Sequence, residues 1–77
     1  MNVSSPDARS NPIASEARKR LLHQPHLSVQ RIWCEYRGRT LFLRGQVPSF
    51  YLKQLAQTAV AGLDGVVQVV NEIEVIW

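Results

Sequence analysis

The sequence predicts an α+β fold: a two-layer sandwich in the order αββαβ, with a three-stranded mixed sheet and two helices packed on one face. Three observations lead there. Two runs of alternating apolar and polar residues, RIWCEY and LFLRGQV, flank a glycine-containing turn. Two stretches with apolar residues at helical spacing, each behind a capping residue, bracket that hairpin. A last run, GVVQVVNEIEV, alternates again after a glycine. A lone hairpin is marginal in water, and a third strand lets the sheet bury an apolar face.

The elements follow in order. Residues Met1 to Ser10 are rich in Ser, Asn and Asp without a period, so a flexible tail is expected over 1–11, with the folded domain over 12–77. Asn11-Pro12 is a helix start, because Asn caps free N–H groups and Pro suits the first helical position. Ile13, Ala17 and Leu21 form one apolar stripe, with Glu16, Lys19 and His23 opposite. Pro25 ends the helix, since the residue before a proline avoids helical geometry. Leu27 and Val29 are expected to plug the core on the way into the first strand. There Ile32, Cys34 and Tyr36 share one face, and Trp33 and Glu35 the other. RGRT turns the chain, with Gly38 available for positive φ. Leu41, Leu43 and Val47 then face the core, and Phe42, Arg44 and Gln46 face away. Pro48 breaks the strand and Ser49 caps a second helix, whose wide apolar face is Leu52, Leu55, Ala56, Ala59, Val60 and Leu63. Gly62 or Gly65 ends it. The last strand runs from about Val66 to Val75. In it Val69, Asn71, Ile73 and Val75 share one parity, and Val70, Glu72, Glu74 and Ile76 the other. Asn71 is expected to bind nearby backbone through its side chain. The link from the second strand to the third is a crossover, expected to be right-handed.

Composition sets the outer limits. The chain has 77 residues, enough for one small domain. At 45% hydrophobic it is too apolar for a disordered chain, yet no apolar run is long enough to span a bilayer. The first residues lack the apolar stretch of a signal peptide, so the chain as given reads as cytoplasmic. Cys34 is the single cysteine, which excludes an intrachain disulfide and points to a packed thiol. The net charge of +3 is unevenly spread. Up to Gly45 stand Arg9, Arg18, Lys19, Arg20, Arg31, Arg37, Arg39 and Arg44 against Asp7, Glu16 and Glu35. Beyond it stands Lys53 against Asp64, Glu72 and Glu74. Such asymmetry steers an anionic partner, or is simply a mixed solvated surface.

The pattern of residues resembles the BON domain, a small module of bacterial osmotic-shock and nodulation proteins. The resemblance rests on Leu21 before Pro25, on Leu41, Leu43, Gly45 and Val47, on Ala56, and on Gly65, Val66, Val69, Asn71, Ile73 and Val75. It covers about Ile13 to Val75, and its closing segment is the more specific part. The family turn places a glycine two residues before the first apolar residue of the second strand. Here Gly38 stands three before Leu41, so a turn one residue longer is expected. The resemblance implies binding rather than catalysis, with contact to phospholipid, a role in the envelope and osmotic stress, and often a periplasmic setting. It carries over no catalytic residue and no cofactor.

Candidate chemistry is sparse. His23 and His26 lack the further ligands of a metal site, and Cys34 lacks an oriented base and acid. Gly62-Leu63-Asp64-Gly65 spells the GxxG of nucleic-acid-clamping KH loops, but it joins a helix to a strand and holds an acid, so helix capping is the better reading. Two surfaces remain. One is basic: Arg18 and Lys19 on the first helix, with Arg37 and Arg39 at the hairpin tip, able to meet lipid phosphates while an aromatic enters the headgroup layer. The other is the outer sheet face, where Trp33, Phe42 and Arg44 join Glu35 and the glutamates of the third strand. Arg44 is expected to pair there with Glu35 or a third-strand glutamate. Anionic phospholipid or a membrane surface is the favoured partner. A protein partner or a homodimer through the sheet face is the alternative. Single-stranded nucleic acid would use the same arginines and aromatics and is the less favoured third reading. Trp77 is expected to cover this face or the core edge.

Overall fold

The computed structural model describes residues 11–77; of the expected N-terminal tail, residues 1–10 lie outside the described residues. Helix α1 spans Pro12–Leu22 and a one-turn helix α2 spans Leu27–Gln30. Strands β1 (Trp33–Arg37), β2 (Thr40–Arg44) and β3 (Gln46–Val47) follow, then helix α3 (Phe50–Ala59) and strands β4 (Gln68–Asn71) and β5 (Glu74–Val75).

Local chemistry explains the boundaries. Asn11 Oδ1 accepts from the N–H groups of Ile13 (2.9 Å) and Ala14 (3.1 Å), with Pro12 behind it in the first turn. Ser49 Oγ accepts from Leu52 N–H at 3.3 Å to start α3. That helix closes at Ala59, and the chain turns through Gly62 and Gly65, both at positive φ, before β4. The hairpin turn is not lengthened. Arg37 pairs directly with Thr40, leaving a two-residue loop in which Gly38 (φ 56°) and Arg39 (φ 62°) are both left-handed. Two-residue hairpin loops of this hand match the twist of their strands. The position that the family gives to glycine is therefore occupied by Arg39, held in a conformation that costs a side-chain-bearing residue energy.

In the three-stranded sheet β2 is central, antiparallel to β1 and parallel to β4. Cys34 lies opposite Leu43 and Tyr36 opposite Leu41, while Leu41 and Leu43 lie opposite Val69 and Asn71. The expected second and third strands each divide. Past Gly45 and Ile73 they pair again as β3 and β5, with Val47 opposite Val75. Bonds from Glu72 N–H to Leu43 O (2.8 Å) and Glu74 N–H to Gly45 O (2.9 Å) carry the backbone across the break. Asn71 sits at the break. Its Oδ1 accepts from Ile73 N–H (3.1 Å), and its Nδ2 donates to Lys53 O (3.0 Å) and Gln57 Oε1 (3.1 Å). One side chain thus shapes the strand and ties it to α3.

The helices cover one face of the sheet. Leu21, Val29, Ile32, Leu41, Leu43, Val47, Val60 and Ile73 are fully buried between the layers, with Ala14, Ala17 and Ala56 letting the helices approach closely. Cys34 is buried among them, its Sγ 3.7 Å from Ala14 O. The segment after Pro25 differs from expectation. It forms α2, closed by bonds from Val29 and Gln30 N–H to His26 O, so Val29 enters the core while Leu27 projects into solvent.

Candidate functional site

The outer sheet face brings four of the seven candidate residues together. Trp33 lies level with Arg44, Glu35 with Phe42 and Val70, and Arg37 with Thr40 and Gln68. Phe42 is half-buried because two guanidinium groups lie over its ring: Arg37 at 5.3 Å and Arg44 at 5.9 Å from the centroid. Both arginines are also tied to acids. Arg37 Nε is 3.2 Å from Glu35, Arg44 Nη1 is 3.6 Å from Glu35, and Arg44 Nε donates to Glu72 Oε1 at 2.8 Å. The hydrogen bond and charge of Glu72 raise the pKa of Arg44 further above the ordinary arginine value. The expected cross-strand pairing is present, and its consequence is a face whose two arginines are balanced by two glutamates. Trp33 is left as its exposed aromatic.

The other three candidates lie elsewhere. Arg39 is exposed at the hairpin tip. Arg18 and Lys19 stand on α1, in the opposite layer. Arg18 is half-buried and donates from Nη1 to Ile32 O at 2.9 Å, fastening the helix to the start of β1. Lys19 is exposed, and its carbonyl is 2.8 Å from His23 Nδ1 at the helix end. The seven residues therefore do not make one site.

The structure adds a surface that the sequence reading missed. Phe50 and Tyr51 open α3 outside its buried stripe, both exposed. The Phe50 ring meets Trp77 edge-on at 5.9 Å between centroids, and Tyr51 meets His26 at 6.3 Å. Trp77 thus covers neither the outer sheet face nor the core edge; it projects beside Phe50. The signal was present: Phe50 and Tyr51 fall off the spacing of Leu52, Leu55, Ala56, Ala59, Val60 and Leu63. The Trp77 contact depends on the register of β5 and was not legible.

Two open grooves adjoin these surfaces. One, about 480 Å³, runs between α3 and β4, lined by Phe50, Lys53, Gln54, Gln57, Thr58, Ala61 and Asn71. A wider one is lined by Arg31, Arg44, Lys53, Glu72 and Glu74. Among the described residues no group of three or more His, Cys, Asp or Glu is arranged to hold a metal ion. No described helix is long and apolar enough to cross a membrane.

Fold and surface together define a small α+β module with two helices over one sheet face. The model of the BON domain matches residues 10–76, and the chain belongs to the BON domain family. The resemblance read from the hairpin and the closing strand is borne out along nearly the whole chain. No curated protein matches it.

Proposed function

We propose that the domain is a non-catalytic binding module that contacts membrane surfaces carrying anionic phospholipid. One observation supports this reading most. After the internal ion pairs are set aside, Arg18, Lys19, Arg31, Arg39 and Lys53 make no ion pair among the described residues, against only Asp64 and Glu74. Each basic residue near an anionic membrane contributes about 1 kcal/mol, so a few of them give weak, reversible attachment. Membership of the BON family is consistent with it.

Cosedimentation with vesicles tests the reading. Binding to phosphatidylglycerol vesicles that weakens as salt rises, with little binding to phosphatidylcholine alone, is the expected result. Absence of binding to both would sink it. A second reading, association with a protein through the outer sheet face, is favoured by the charge balance around Phe42 and by exposed Trp33. Binding lost in Trp33→Ser, and unchanged by salt, would mark that reading instead.

A further inference from the structure

We infer that the domain meets the bilayer with the end of the fold opposite the hairpin tip, and that Phe50, Tyr51 and Trp77 enter the headgroup layer. The inference rests on the membrane reading above and names the surface that reading would use.

The topology gathers these residues. β2 and β3 run away from the Gly38–Arg39 turn, and two residues after Val47 the chain starts α3 with Phe50 and Tyr51. β5 is parallel to β3, so it leaves at the same end, and Ile76 N–H donates to Val47 O at 2.8 Å. Trp77 therefore emerges beside Phe50. α2 packs on α3, and His26, just before α2, reaches Tyr51. Leu27 of α2 is 60% exposed, Phe50 63%, Tyr51 66% and Trp77 88%.

Single exposed apolar side chains need no explanation. Three exposed aromatics at one end, Phe50 in ring contact with Trp77 and Tyr51 with His26, are a different matter, because apolar side chains gathered on one surface mark an interaction site. The residue types narrow the occupant. Trp and Tyr settle at the membrane–water interface, where the ring meets the acyl boundary and the polar atom stays hydrated. Charge narrows it further. Arg31 directly follows α2 and Lys53 lies one turn after Phe50 in α3, and neither makes an ion pair among the described residues. Rings that enter the headgroup layer would bring Lys53, which shares a groove with Phe50, toward the phosphates, while Arg31 stands with Lys53 in the wider groove that also holds Glu72 and Glu74. A protein partner would need fixed, complementary packing at its core. Lipid accepts exposed side chains without such fixed packing, and Trp77 is 88% exposed.

The test uses vesicles of phosphatidylglycerol and phosphatidylcholine mixed equally. Trp33→Phe leaves Trp77 as the only tryptophan. On binding, its emission should shift to the blue and be quenched by lipids brominated near the glycerol end of the chains. Phe50→Ser/Tyr51→Ser/Trp77→Ser should bind about tenfold more weakly or worse, since each ring contributes apolar burial. Arg37→Ala/Arg39→Ala should stay within about threefold of wild type, as loss of two distant charges costs little once screened. Circular dichroism checks that each variant is folded; the rings are exposed, so the fold should hold. If wild type binds and the triple variant binds equally, the inference fails while the membrane reading stands. If wild type binds no vesicle, both fall. If wild type is a dimer in sedimentation equilibrium and the triple variant a monomer, a second copy covers these rings and the inference is overturned.

Discussion

Asn71 is the residue on which the closing strand turns, and Asn71→Ala measures that role. The side chain makes three hydrogen bonds at 3.0–3.1 Å: one from Ile73 N–H, and two to Lys53 O and Gln57 Oε1. A typical intramolecular hydrogen bond contributes about 0.5–1.5 kcal/mol net. The two bonds to backbone groups carry most of the effect, because Gln57 is exposed and finds water when its partner is removed. Loss of the side chain should therefore cost about 1–3 kcal/mol. Domains of this size hold only about 3–5 kcal/mol, so a large share of the stability is at stake. Near the midpoint each 1 kcal/mol shifts Tm by about 4–8 °C in a domain this small, which predicts a fall of about 4–24 °C. Thermal and urea unfolding followed by circular dichroism read both numbers. Asn71→Asp adds a second constraint. It keeps the acceptor for Ile73 N–H but sets a carboxylate against the Lys53 carbonyl, and should cost at least as much as Ala at neutral pH. An Ala variant within about 0.5 kcal/mol of wild type, the range of ordinary surface changes, would refute the assignment of Asn71 as a tie between β4, β5 and α3.

Two further predictions follow from the backbone. Gly38→Asn/Arg39→Gly places the residues preferred in a left-handed two-residue loop at Arg39 (φ 62°) and its neighbour, and should raise stability by about 0.5–1 kcal/mol in urea unfolding; an unchanged midpoint would show that Arg39 is unstrained. Gly65→Ala should cost more than Gly62→Ala. Both sit at positive φ, about 1–2 kcal/mol for a residue with a Cβ, but only at Gly65 would the new Cβ fall 2.6 Å from Ile13 Cδ1; equal midpoints would mean that Ile13 moves aside freely.

The layered core was legible because it rests on periodicity. Ala17 and Leu21 of the α1 stripe are buried, with Ala14 beside them, while Ile13 is half-buried; Leu41, Leu43 and Val47 alternate, and Leu52, Ala56 and Val60 repeat at helical spacing, all buried. The caps at Asn11 and Ser49 were legible for the same reason, since capping is a local matter of one side chain and the next turn. What escaped was set by contacts across the fold. Leu27 and Val29 look alike in a short apolar segment, and only the one-turn helix closed on His26 O separates buried from exposed. The hairpin loop is two residues long rather than one residue longer, because Arg39 adopts positive φ beside Gly38.

The candidate surface shows the same division more sharply. Alternation correctly put Trp33, Phe42 and Arg44 on one face, and cross-strand spacing correctly suggested Arg44 with Glu35 and a third-strand glutamate. Counting arginines could not tell which remain available. Arg44 and Arg37 are held by Glu72 and Glu35 and lie over Phe42; Arg18 is committed to Ile32 O. An arginine already bonded must give up that partner before it meets a phosphate, and the exchange leaves little net gain at a solvated surface. Availability, not number, therefore decides where an anionic surface would be met. By that criterion the weight moves from the sheet face to Arg39, Lys19, Arg31 and Lys53, and of these Lys53 shares helix α3 with exposed Phe50 and Tyr51. The end carrying Phe50, Tyr51 and Trp77 is where both halves of an interfacial contact, a ring and an unpaired cation, occur together.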